Sequence, residues 1–312
     1  MAPLLFRTLL VAVLAFAAAS ALADGPTLRI GIQSYGTLVV VQAQKALEQR
    51  LRRQVSGIEW VQFPAGPPLL DAMAEGRIDF GATSEVPPIF AQAAGEPLVY
   101  VAAERPAPKG EAILVPKGSP LRTVADLKGL KVAFNKGSNV HYLVALALGS
   151  AKLTLEDIVP VYLPPAEAQA AFEHGEVDAW AIWDPYLSAA EAQTGARELV
   201  NGEGLVTNRQ FYLATSKLAQ EQPALLQAIL EEIYRTDAWA AAHISETAAQ
   251  LAPVTGLSQP VMEAALNRMP LGTGPVTDDV VRDQQRIADA FYRLGLISKP
   301  VVVRDVVWTP HP

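Results

Sequence analysis

The amino-acid sequence predicts an α/β protein of two lobes, and three observations carry this. Apolar strands alternate with helices through residues 28–116, the alternation restarts at 131 and runs to 194, and beyond 211 one strand leads into long helices. Alternation of this kind builds parallel sheets covered by helices on both faces. Two rounds and a helical return mean that the chain crosses between the lobes twice, with 112–116 and 211–215 as the crossing segments.

Each element has a local reason. The strand at 28–32 ends in a Gln33-Ser34-Tyr35-Gly36 turn, and 39–53 follows as a helix with apolar residues at helical spacing and a basic end. The strand 58–63 is punctuated by Pro64-Ala65-Gly66-Pro67, the helix 68–75 is stopped by Gly76, and 78–82 is the third strand. The helix 86–95 opens on prolines, which a first helical turn tolerates. Strands at 98–103 and 112–116 complete the first round. The second reads as strand 131–134, helix 140–149, strand 159–163, helix 165–174, strand 179–182 and helix 184–194. After the strand 211–215, helices at 223–244 and 278–294 are the clearest.

Arg7 is the only charge before Asp24, residues 8–19 form an apolar run, and Ser20-Ala21-Leu22-Ala23 supplies small residues at a cleavage point. This predicts a secretory signal over 1–23, cleaved after Ala23, since the run is too short for a permanent membrane anchor. No cysteine follows the cleavage point, so the mature chain is expected to be free of a lipid anchor and soluble outside the cytoplasm. The 312 residues contain no cysteine at all, which excludes disulfides, thiol catalysis, iron–sulfur clusters and cysteine-type zinc sites. A domain of this size buries enough surface without such staples. The net charge of −7 argues against a nucleic-acid partner.

The stretch TVADLKGLKVAFNKGSNVH at 123–141 is the most informative. A buried strand runs into a Lys136-Gly137-Ser138-Asn139 turn, where Gly137 permits positive φ and Ser138 or Asn139 can cap the helix behind it. Such a turn leaves N–H groups unpaired at the positive end of a helix, and so can hold an anion without metal or arginine. The turns at 34–38 and 83–87 repeat the pattern. In open α/β sheets ligands bind outside the carboxyl ends of strands, so three such turns facing one cleft make a cage of N–H donors. In Asp178-Ala-Trp-Ala-Ile-Trp-Asp-Pro-Tyr186, Trp183 ends a strand where the cleft should open, whereas Trp180 is either a core residue or a ligand contact. His141 is a candidate ligand residue, although a lone histidine in a first helical turn more often packs. No nucleophile elbow, phosphate loop, HExxH pair or complete GxGxxG is present, so no catalytic residue, metal or cofactor is expected.

The blocks LRIGIQ, WVQFPAGPPLLDAMAEGRIDFGATSEVPPIFAQAAGEPLVYV, ILVPKGSPLRTVADLKGLKVAFNKGSNVH and VDAWAIWDPY resemble the periplasmic aliphatic sulfonate-binding proteins of ABC importers, over essentially all of 28–310. Relatives of that family bind taurine, nitrate or thiamine precursors. The resemblance implies a two-lobed type II periplasmic binding protein fold, with lobe I over 24–112 and 210–312 and lobe II over 113–209. It implies a monomeric receptor, not an enzyme, that captures a small organosulfonate, or alternatively nitrate, taurine or another small anion. The receptor would deliver its ligand to an inner-membrane permease with its ATPase. The sulfonate would be held by Ser138 and Asn139, by Thr83, Ser84 and Glu85, and by Tyr35, Gly36 and Thr37 opposite, with Trp183 and Asp184 lining the cleft.

Overall fold

In the computed structural model, which describes residues 25–34 and 36–309, the strands form two five-stranded sheets. The expected signal segment and Tyr35 lie outside the described residues. Lobe I contains β1 (Thr27–Ile32), β2 (Gly57–Gln62), β3 (Phe80–Ser84) and β4 (Leu98–Ala103). Lobe II contains β5 (Glu111–Val115), β6 (Lys131–Phe134), β7 (Val159–Tyr162), β8 (Ala179–Trp183) and β9 (Arg197–Asn201), and β10 (Gln210–Thr215) returns to lobe I. The spatial orders are β2-β1-β3-β10-β4 and β7-β6-β8-β5-β9.

The sheets are not purely parallel. β10 runs antiparallel to β3 and β4, and β5 antiparallel to β8 and β9, whereas β1 with β2 and β3, and β6 with β7 and β8, are parallel. In each lobe the reversed strand is the first one after the chain arrives from the other lobe. A chain arriving there starts at the cleft, where the parallel strands end, and must run the opposite way. The strands expected to be crossings are therefore sheet members, and the crossings are the segments before them, 104–110 and 202–209. These two segments lie side by side: the Ala107 N–H donates to the Thr207 carbonyl at 2.9 Å and the Gly202 N–H to the Pro108 carbonyl at 3.0 Å. β9 was not expected because it is a half-exposed edge strand without an apolar run.

The expected helix over 39–53 is two helices, α1 (Thr37–Ala43) and α2 (Ala46–Leu51), separated at Lys45, whose φ is 53°. The break lets one segment serve two cores. Leu38, Val41, Leu47 and Leu51 pack with the first sheet, while Val39 and Val40 pack beneath Leu251, Met262 and Leu266. Lobe I also carries α3 (Gly66–Ala74) and α4 (Pro87–Ala94); lobe II carries α5 (Asn139–Ser150), α6 (Pro165–Glu173) and α7 (Tyr186–Thr194). The helical return consists of α8 (Ser216–Glu221), α9 (Pro223–Ala242), α10 (Ile244–Thr255), α11 (Gln259–Arg268) and α12 (Asp278–Arg293). Phe134, Leu143, Trp180 and Ile182 anchor the core of lobe II, which also takes in Ala65 from lobe I, so the lobes touch beside α3. No helix among the described residues is long and apolar enough to cross a membrane.

Candidate functional site

The carboxyl ends of the parallel strands of both sheets converge on one pocket. Lobe I contributes Gln33 just after β1, Gly66 at the start of α3, Ser84 at the end of β3 and Gln210 at the start of β10. Lobe II contributes Ser138 and Asn139 at the start of α5 and Trp183 at the end of β8, and Asn208 comes from the second crossing. No lining side chain is titratable in the ordinary range. The chemistry on offer is amide, hydroxyl and indole.

α5 supplies donors of a second kind. Ser138 occupies its N-cap position, yet makes no side-chain cap; its hydroxyl donates to the Asn135 carbonyl at 2.8 Å. The His141 N–H donates to the Ser138 carbonyl at 3.1 Å, which leaves the Asn139 and Val140 N–H groups uncapped at the positive end of the helix, with Asn139 in the pocket wall. Beneath the wall the Asn139 amide donates to the Glu111 carboxyl and, at 3.0 Å, to the Asn208 side chain. Burial pushes the Glu111 carboxyl well above its ordinary range, and the nearby Glu85 raises it further against that hydrogen bond.

Of the residues expected from the sequence, Ser84, Ser138, Asn139 and Trp183 meet in this pocket. The others lie elsewhere. Glu85 faces the second crossing, accepting from the Thr207 hydroxyl at 2.5 Å and the Asn208 and Arg209 N–H groups at 3.1 and 2.8 Å. Thr37 is buried against Asp237, to which its hydroxyl donates at 2.6 Å. Gly36 backs the Gln210 amide: a Cβ there would come within 2.8 Å of Nε2. Trp180 is a core residue, 1% exposed and tilted against Phe172, because its side of β8 faces α6. Asp184 is fully buried and turns away to accept from the Ser188 N–H and hydroxyl at 3.0 and 2.6 Å.

Gly137 and His141 line a neighbouring cavity instead. The His141 Nδ1 accepts from the Gly137 N–H at 3.3 Å and the ring stacks on Phe134. Burial, helped by the Lys136 charge, lowers its pKa to about 4, so this histidine is uncharged at neutral pH. Thr83 lies directly behind Gly66: a Cβ at Gly66 would sit 2.0 Å from its Oγ1 and 2.6 Å from Pro87 Cγ. The Gly66→Ala variant should accordingly lose about 1–3 kcal/mol of stability by overpacking. Urea unfolding checks this, and a variant as stable as the wild type would refute it.

Gln33, Gly66, Asn208 and Gln210 were missed. The position of Gln33 and Gly66 after strands could have found them. Asn208 and Gln210 carry no such signal, because they precede a reversed strand.

A family model described as NMT1/THI5 like matches residues 61–247. The aliphatic sulfonates-binding protein of Escherichia coli (strain K12) is 48% identical over 286 residues, 91% of this chain and 89% of that protein. The chain belongs to the aliphatic sulfonate-binding proteins of the NMT1/THI5-like family. Among solved members of this sulfonate-binding family, the alkanesulfonate-binding protein SsuA of Xanthomonas axonopodis pv. citri, bound to MOPS, is 44% identical. It aligns over 92% of this chain and 99% of its own, with a TM-score of 0.87. The periplasmic aliphatic sulphonate binding protein SsuA of Escherichia coli is 46% identical over 92% and 94%, with a TM-score of 0.83. The sulfonate-binding resemblance carried by the sequence blocks and the type II binding-protein fold are both borne out by these matches.

Proposed function

We propose that this chain is a periplasmic receptor, not an enzyme, that captures a small aliphatic sulfonate between its lobes and hands it to an inner-membrane permease with its ATPase. In this reading the protein is monomeric and is released after Ala23 without a lipid anchor. One observation carries the reading: an interlobe pocket lined from both sheets by neutral donors and no charged side chain. A sulfonate is ionised at every working pH and needs hydrogen-bond donors, not a titrating partner. The uncapped first turn of α5 and the Gln33, Ser84 and Gln210 side chains supply them. The pocket as it stands encloses about 20 Å³, room for a single water. A sulfonate therefore enters only as the lobes part or the glutamine side chains swing, which couples binding to a hinge at the two crossings.

Titration calorimetry with ethanesulfonate across pH, beside nitrate and taurine, tests the reading. Above about pH 5.5 the imidazole adds no pH dependence, because His141, at about 4, is already neutral. The buried carboxyls beside the pocket, Asp184 at about 6 and Glu104 at about 7, ionise there, and a further change comes where Glu111 ionises. Beyond that point a buried carboxylate beneath Asn139 opposes an anion, so affinity falls as pH rises. Glu111→Gln should flatten the alkaline limb, and His141→Gln should leave the curve unchanged. A fall abolished by His141→Gln would place the charge recognition on the imidazole and overturn the neutral-donor reading. Tighter binding of nitrate than of ethanesulfonate would overturn the ligand class.

A further inference from the structure

Among the described residues, every ion pair that directly joins the two lobes is made by one side chain, Arg268. The others lie within a lobe or at the crossings, as Arg29–Asp79, Lys128–Asp157 and Lys109–Glu203 do. Arg268 ends α11 on lobe I. One arm of its guanidinium donates to the Ser188 hydroxyl of α7 at 3.0 Å and lies 3.6 Å from Asp184, just after β8. The other arm donates to Glu191 of α7 at 2.5 Å and lies 3.5 Å from Glu198 of β9. One planar fork thus ties three elements of lobe II to one helix of lobe I.

Asp184 makes this more than a surface pairing. It is fully buried, its Oδ1 accepts from Ser188, and its Oδ2 has no partner. Beside it Pro185 of lobe II faces Met262 and Leu266 of lobe I across a space of only about 10 Å³. Closing the lobes on this flank desolvates the Asp184 carboxylate, and the guanidinium offsets that cost. Parting them takes the same cation from three carboxylates at once. The opposite flank is joined by rings instead: Phe291 of α12 meets Tyr142 and His141 of α5 at centroid distances of 5.4 and 6.2 Å. Apolar contact is non-directional, whereas the arginine fork fits its partners in one geometry.

We propose that Arg268 is an interlobe latch that stabilises the closed form of the receptor and so sets how long a captured ligand is held. Arg268 does not line the headgroup pocket of Ser84, Ser138 and Trp183. Its loss therefore acts on the parting of the lobes and not on the donors that meet the anion. The inference rests on the hinge in the reading above, and not on the identity of the ligand.

The experiment reads lobe separation directly. The chain has no cysteine, so Gln62→Cys at the end of β2 and Glu167→Cys in α6, both exposed, carry a pair of spin labels, one on each lobe. In pulsed electron resonance without added ligand, Arg268→Ala should raise the ratio of open to closed molecules about tenfold, and Arg268→Lys, which keeps the charge but not the fork, by less. Stopped-flow mixing with ethanesulfonate, followed by tryptophan emission, should show dissociation about tenfold faster in Arg268→Ala and association no slower. If Arg268→Ala does not fold, the Glu191→Gln/Glu198→Gln variant removes only half-exposed charges and should shift the ratio about threefold. A ratio unchanged in the variants that fold overturns the latch. Slower association with unchanged dissociation also overturns it, because that pattern marks a damaged pocket. A wild type that does not bind ethanesulfonate overturns the sulfonate reading alone, since the label measurement needs no ligand.

Discussion

At pH 8 the Arg268→Ala variant should be about 2 kcal/mol less stable than the wild type, and at pH 5 the difference should shrink to about 1 kcal/mol or less. Arg268 sits at the end of α11, which packs with α1 and α10 on lobe I, yet all its partners are in lobe II. It donates to the Ser188 hydroxyl at 3.0 Å and to Glu191 at 2.5 Å, and stands 3.5 Å from Glu198 and 3.6 Å from the fully buried Asp184. Burial raises the Asp184 carboxyl to about 6, against the Ser188 hydrogen bonds and the Arg268 charge that hold it down. Stranding a buried charge costs about 3–5 kcal/mol, but Asp184 can take up a proton instead, which caps the loss. The half-exposed contacts to Glu191 and Glu198 add only about 0–1 kcal/mol each.

The direction in pH follows from that raised carboxyl. A group whose folded pKa lies above its unfolded value costs stability as pH climbs between the two, here from 3.8 to about 6. Without Arg268 the folded value moves higher still, so the variant goes on losing stability after the wild type has stopped. The gap therefore opens above about pH 6 and closes where Asp184 is protonated in both proteins. Urea unfolding at the two pH values decides it, and equal losses would mean that the Asp184 contact contributes nothing.

The α/β alternation was legible because the central parallel strands, Ala179–Trp183 and Phe80–Ser84, are short runs buried on both faces. Direction within a sheet is not written in a strand's composition. Gln210–Thr215 and Glu111–Val115 are as apolar as their parallel neighbours, and only the side from which the chain enters reverses them. The same fact hid half of the site. Ser84, Ser138, Asn139 and Trp183 follow the rule that ligands lie beyond strand ends, whereas Asn208 and Gln210 lie before a reversed strand. The family resemblance implied that Asp184 and Glu85 face the cleft. Their carboxylates instead found donors in Ser188 and in the second crossing, as buried charges must.

Loss of Trp183 should be the largest change in ligand binding that a single pocket side chain can produce. Of the five tryptophans only Trp183 lines the headgroup pocket, with 7% of its surface exposed. Trp60 donates to Glu48 at 2.8 Å and Trp239 stacks on His243, both away from the cleft. Replacing Trp183 by alanine removes a wall facing the anion and admits water beside it, which weakens every hydrogen bond to the headgroup by restoring a high dielectric. An affinity loss of at least about tenfold for ethanesulfonate, or roughly 1.4 kcal/mol, is expected. The fluorescence change on binding should vanish with it, since no other indole meets the ligand. Because removing a buried indole also costs core stability, Trp183→Phe serves beside it and should retain the fold while losing the emission change. Trp180→Phe is the control in the other direction. Its indole packs on Phe172 inside lobe II, so that variant should melt lower yet keep both affinity and signal. Binding unchanged in Trp183→Ala, or a signal lost in Trp180→Phe, would move the ligand away from the end of β8.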